Sequence, residues 1–246
     1  MKQFKFLAAI PIIMAFVFIS CNNAADDKKA DTTTTPATDS TKPKPAEPAA
    51  PMKPANFAVI MHKVANYAKW LPLYESDDSA RKASGLTNYV LGRGLGKDSN
   101  MVLVALKMAD VAKAKEFSNS PALKEKMKKG GIIGAPTVSF SEAVWNDTST
   151  LAPSIPRLRI THQVKDWDIW KKHFDSGKQV RMDAGLIDRV VSHGIDDNHM
   201  VGLVFAITDM AKAKAFMASK DLKDRMAAAG VVGAPTFFYY TVAKKY

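Results

Sequence analysis

The chain has 246 residues, 35 of them Lys or Arg against 24 Asp or Glu, for a formal charge of +11, and it carries a single cysteine. One cysteine excludes an intrachain disulfide framework. The basic excess is dispersed rather than gathered into a stripe, and no zinc-finger spacing or recognition-helix pattern accompanies it, so nucleic acid is not expected as a partner.

Residues 1–20 begin with Lys2 and Lys5 and continue as the apolar run FLAAIPIIMAFVFIS up to Cys21. A positive flank, a run too short to span a bilayer comfortably and a small residue, Ser20, before the break are the features of a signal peptide. The stretch FISC resembles the lipobox of bacterial lipoproteins, with Phe18 where Leu is usual. That resemblance implies acylation of Cys21, cleavage before it and anchoring to a bacterial membrane, with the protein outside the cytoplasm. Several acyl chains hold a protein firmly, each buried methylene contributing about 0.8 kcal/mol.

Residues 21–56 then read as a lipidated cysteine and a Pro/Thr/Ala-rich tether without aromatics, too polar to repay the entropy of ordering. Asp26 and Asp27 resemble surface-export signals of some Gram-negative lipoproteins, so the expected location is the outer membrane, on its periplasmic face or at the cell surface.

The remainder is a repeat. At an offset of 100, His62 meets His162, Val64 meets Val164, Trp70 meets Trp170, Arg81 meets Arg181 and Gly85 meets Gly185; after a one-residue loss, Asp110 meets Asp209 and GIIGAPT meets GVVGAPT. The units are 57–146 and 157–246.

In each unit the alternation at 58–64 and 158–164 predicts a strand with Ile60, His62 and Val64, or Ile160, His162 and Val164, on one face. Asn66 and Asp166 are placed to cap a helix whose aromatic stripe is Tyr67, Trp70 and Tyr74, or Trp167, Trp170 and Phe174. Gly85 and Gly185 are expected to stop it. Two strands follow, at about 86–92 and 101–107, then 186–193 and 200–207. Asp110 and Asp209 cap a second helix, broken near Pro121 and Lys220, and a last strand is expected after Pro136 and Pro235. This order, strand, helix, strand, strand, helix, strand, is that of a ferredoxin-like unit and sets the fold class as α+β.

In MVGLVFAI both alternating sets are apolar, with Met200, Val204 and Ala206 on one side and Val201, Leu203, Phe205 and Ile207 on the other. The helices cover only one sheet face, so the other needs a cover that the tandem copy supplies. The expectation is two four-stranded sheets packed face to face as a barrel-like core, with no second chain needed.

With the repeat order, the phrase H-x-V-x-D/N-aromatic-x-x-W and the D-x-A-K-A-K-x-F helix leading to G-x-P-T, residues 57–240 resemble the dimeric alpha-beta barrel superfamily, in particular proteins similar to antibiotic biosynthesis monooxygenases, here as a fused pseudo-dimer. The resemblance implies a ligand cavity between each sheet and its helices. Superfamily members include cofactor-independent oxygenases, haem-handling proteins, isomerases and proteins without known activity, so no catalytic set follows from the fold.

Two readings stand for each candidate residue. His62 and His162 are half-buried histidines satisfied by neighbours, or pocket histidines that bind or deprotonate a ligand, with Asn88 or Asp188 as a polar companion. Trp70, Tyr74, Trp170 and Phe174 are core, or a platform for a flat ring. Arg81 and Arg181 are solvent-facing, or clamps for an anion at the end of the aromatic stripe. The glycines around Pro136 and Pro235 follow a helix and lead into a strand, the reverse of a phosphate loop. The copies differ at Asn88/Asp188, Tyr89/Arg189 and Arg93/His193, and the second, with His162 and Asp188 as a candidate catalytic pair, is favoured; His193 falls on the opposite face by strand alternation. The expected function is binding of a small aromatic or anionic molecule without metal or cofactor. The alternatives are a cofactor-independent monooxygenase of a phenol and a non-catalytic interaction module.

Overall fold

The computed structural model describes residues 54–246. The signal segment, Cys21 and nearly all of the tether lie outside the described residues. The first strand starts at Ala55, so the folded body begins two residues before the expected boundary at 57.

The first repeat comprises β1 (Ala55–Val64), α1 (Tyr67–Ser76), α2 (Asp78–Ala83), β2 (Leu86–Gly94), β3 (Met101–Met108), α3 (Val111–Asn119), α4 (Pro121–Lys129) and β4 (Ile132–Asn146). The second repeats this order with β5 (Arg157–Val164), α5 (Trp167–Ser176), α6 (Lys178–Asp183), β6 (Leu186–Gly194), β7 (Met200–Ile207), α7 (Met210–Ala218), α8 (Lys220–Ala228) and β8 (Val231–Lys245). The expected caps form, since Asn66, Asp166, Asp110 and Asp209 each accept a hydrogen bond from the backbone N–H three residues on. Ser120 and Ser219 cap α4 and α8, which explains the breaks near Pro121 and Lys220.

Two boundaries differ from expectation. The first helix of each repeat is interrupted at Asp77 and Gly177, and Gly85 and Gly185, with φ of 71° and 73°, close the short second piece instead. The last strand begins at Ile132 and Val231, upstream of the prolines. Its pairing slips where β1 passes Met61 to Lys63, so the GAPT segment is accommodated as a bulge within a fifteen-residue strand.

The arrangement of strands also refines the expected pair of sheets. One closed barrel runs β1-β3-β2-β8-β5-β7-β6-β4. Within each repeat the order is the ferredoxin-like one, with the last strand beside the first. The far ends of β4 and β8 reach the other repeat, Ser141–Asn146 pairing with β6 and Tyr240–Lys245 with β2. The length of these two strands turns two sheets into one cylinder, leaving no open edge.

Each strand therefore has a helix-facing and a barrel-facing side. Helices cover the outside over two apolar clusters, one around Leu158, Leu186, Phe205 and Trp170 and one around Val64, Leu91, Val102 and Trp70. A smaller cluster of Leu103, Phe238 and Tyr240 fills part of the interior. With both faces covered, the doubly apolar patterning of β3 and β7 is accounted for.

Candidate functional site

His162 lies on the helix-facing side of β5 and is buried. Its ring centroid is 5.5 Å from that of Trp170, which stacks on Phe174 at 5.1 Å. The one-and-a-bit turn between Trp170 and Phe174 on α5 puts both rings over the sheet. The Arg181 guanidinium, from α6, then lies 3.6 Å from the Phe174 ring centroid. These four side chains line one cavity of about 340 Å³, closed on its other side by Phe216, Met217 and Leu222 of α7 and α8. The first repeat builds the same arrangement from His62, Trp70, Tyr74 and Arg81 around about 220 Å³. There the His62–Trp70 and Trp70–Tyr74 ring separations are 5.3 and 4.9 Å, and Arg81 lies 3.9 Å from the Tyr74 ring.

Neither histidine is satisfied by its neighbours. Nε2 of His162 and both ring nitrogens of His62 are buried without a hydrogen-bond partner among the described residues. Burial pulls both imidazoles down from 6.5 to about 4, so they are neutral near pH 7. A neutral ring with an unpaired nitrogen keeps one hydrogen bond in reserve for a ligand group that reaches it.

The arginines are buried rather than solvent-facing. Each nitrogen of Arg181 is engaged. Its Nε and Nη2 donate to the two carboxylate oxygens of Asp188 at 2.8 and 2.7 Å, and its Nη1 donates to the Phe174 carbonyl at 2.5 Å. Asp188 is thus an ion-pair partner of Arg181 and makes no hydrogen bond to His162, because both its oxygens are turned to the guanidinium. In the first repeat Asn88 replaces it. Asn88 Oδ1 accepts from Arg81 Nε at 3.1 Å and from the Tyr74 hydroxyl at 2.5 Å, while its amide donates to Asp78 at 2.8 Å. Arg81 Nη2 forms no hydrogen bond and reaches Asp78 only at 3.8 Å.

His193 is on the same side as His162, not on the opposite one. Asp188 pairs with Phe205 and Val190 with Val204, leaving Arg189 as the extra residue of a bulge that resets the alternation. The His193 ring meets Trp167 edge-on at 4.7 Å. The same bulge turns Arg189 into the barrel, where it binds Asp147 at 2.5 Å and Ser149 Oγ at 2.8 Å.

A third cavity, inside the barrel, lies outside the expectations drawn from the sequence. About 460 Å³ of space lies inside the barrel, lined by Phe57, Val59 and Leu103 on one side and by Arg157, Arg159 and Tyr240 on another. Its signal is present in RLRITHQV, where Arg157, Arg159 and Thr161 alternate with Leu158, Ile160 and His162.

No protein-family model matches the chain, and neither does any curated protein sequence. Solved structures do resemble it. A structure described as an anthrone oxidase-like protein superposes with a TM-score of 0.54 at 14% identity, covering 78% of this chain and 92% of its own. One described as a candidate chlorite dismutase gives a TM-score of 0.50 at 14% identity, with 77% and 95% covered. The chain shares the fold of these proteins. At such identities the likeness extends to architecture alone, and the chemistry has to be argued from the pockets. A candidate monooxygenase from Lactobacillus acidophilus NCFM is also similar, with a TM-score of 0.47 at 9% identity and coverage of 78% and 95%.

Proposed function

We propose that this protein is an exported, lipid-anchored barrel that holds a small, flat aromatic molecule in its helix–sheet pockets. The observation that carries the reading is the second-repeat cavity. It is of a size for a one- or two-ring molecule, is walled by Trp170 and Phe174, and has in its lining the His162 imidazole, whose Nε2 no neighbour satisfies. The Arg181–Asp188 pair balances its own charge, which suits a ligand that is neutral and carries one hydroxyl or carbonyl. In the smaller first pocket Arg81 Nη2 lacks a hydrogen bond and meets Asp78 only at 3.8 Å, which suits a more electron-rich or anionic ring.

The test is quenching of tryptophan fluorescence in the full chain titrated with 2-naphthol. Saturable binding is expected, weakened up to about tenfold in His162→Leu, the worth of one hydrogen bond. Absence of saturable binding, or an affinity unchanged by the substitution, would overturn the proposal. Proton abstraction from a phenol ranks lower, because an imidazole held near pH 4 is a weak base and Arg181 has its charge engaged. Oxygen uptake with a hydroquinone, lost in His162→Ala, would reverse that ranking.

Export and anchoring rest on the sequence around Cys21. Labelled palmitate should enter the wild-type chain and not Cys21→Ser, which should leave the membrane fraction. Label incorporated equally into both chains would remove this part of the proposal.

A further inference from the structure

The barrel interior differs between the two halves in a way that packing alone does not require. The inward side of β1 is Phe57, Val59 and Met61, and the matching inward side of β5 is Arg157, Arg159 and Thr161. Two guanidinium groups therefore stand where the sister strand has apolar side chains. Burying a charge without a counter-charge is costly, and the cavity's own carboxylates, Asp147, Asp196 and Asp197, are paired elsewhere, with Arg189, Lys115 and His199. Among the described residues neither Arg157 nor Arg159 has a carboxylate within 4 Å, whereas Arg189, Lys115 and Lys244 all do.

The nearest polar contacts of Arg159 are Ser139 Oγ at 3.4 Å and Met61 Sδ at 3.9 Å, both long, which leaves most of its five N–H donors unused. Arg157 spends Nη1 on the carbonyls of Ile155 and Pro156, at 2.8 and 3.4 Å. Tyr240 lies directly across from Arg157 on β8 and lines the same cavity. Burial pushes that phenol up to about 12, so it remains a donor. Burial also pulls the Arg159 guanidinium down, the mark of a charge without compensation.

We propose that the barrel interior is a second, independent binding site, for an organic anion whose carboxylate is received by Arg159 and Arg157 and whose apolar body lies against Phe57, Val59 and Leu103. The cavity is amphipathic in the required sense. Donors enter it from β5 and β8, and the apolar wall comes from β1 and β3 opposite. Planar guanidinium groups suit a carboxylate, whose two oxygens accept parallel N–H bonds. Leu151 and Pro153 of the inter-repeat connection lie at the cavity, as does the paired Arg189–Asp147. This site shares none of the pocket residues His62, Trp70, His162 or Trp170, so it stands or falls apart from the function proposed above.

The experiment is calorimetric titration of the full chain in detergent, corrected by a detergent blank, with 2-naphthoate and octanoate as probes and 2-naphthamide and inorganic phosphate as controls. At least one carboxylate should bind, tenfold or more tightly than the amide or phosphate, and raise the melting temperature. Arg159→Met should weaken it at least tenfold while raising the melting temperature of the unliganded protein, because an uncompensated charge is removed. Arg157→Gln is the independent variant should Arg159→Met not fold, and a severalfold loss is expected. Failure of both carboxylates to bind, equal binding of the amide, or affinities unchanged in the folded variants would overturn the proposal. A lowered melting temperature in Arg159→Met with binding retained would make the arginine structural and do the same.

Discussion

A histidine buried beside a tryptophan is a charge the fold refuses. His62 and His162 are depressed to about 4 in the folded protein against 6.5 for the free side chain. The folded state therefore binds fewer protons than the unfolded chain between those values. Stability from this source is complete above about pH 6.5 and is lost as pH falls through 4, on the order of 3 kcal/mol for each histidine. Melting temperature measured from pH 7.5 to 4 should fall across that window, and the double variant His62→Phe/His162→Phe should flatten the curve. The neighbouring Arg181–Asp188 pair makes a second claim at this scale. Asp188→Asn imitates the first repeat without its tyrosine hydroxyl, since Phe174 stands where Tyr74 does, and leaves a buried guanidinium uncompensated. It should cost about 3–5 kcal/mol by urea denaturation.

At the scale of elements, the strands show what patterning conveys and what it omits. Alternation placed His62 and His162 facing the helices, and the three-and-four spacing of the aromatics brought Trp170 and Phe174 over them, because strand and helix periods are local properties. The side on which His193 falls was illegible. One extra residue, Arg189, shifts the register there, and a bulge leaves no mark in composition. The break at Asp77 and Gly177 was hidden likewise, since the aromatic stripe continues its spacing up to it. The arginines of β5 were legible in their alternation, but they acquire meaning only when the interior is known to be hollow. Close fit elsewhere in the barrel is testable. A Cβ on Gly92 of β2 would lie 2.5 Å from Cδ2 of Tyr240, so Gly92→Ala must displace that ring from the interior. A loss of about 1–3 kcal/mol is expected, read as a lower urea midpoint with unchanged slope.

For the whole molecule, closure depends on strands that cross between repeats. Cut after Asn146, the first repeat would expose the end of β4, which pairs with β6, and the edge of β2, which pairs with β8, together with inward-facing Phe57 and Leu103. Residues 54–146 produced alone should therefore dimerise or precipitate, and light scattering after size exclusion should find no stable monomer. The repeat itself was evident from letter-for-letter correspondence. That it closes as one cylinder rather than two stacked sheets depends on hydrogen bonds between residues roughly fifty and one hundred and fifty positions apart, which no local pattern encodes.

Fusion also releases the molecule from an obligation that two-fold symmetry imposes on a homodimer. When identical chains pair, any change on the first strand arrives in duplicate, so that Arg157 and Arg159 would be mirrored and four like charges would crowd a single lumen. A covalently joined pair alters one wall and leaves its sister untouched. The lumen thereby acquires polarity, one wall cationic and the facing wall apolar, and a guest inside it would have only one way to lie.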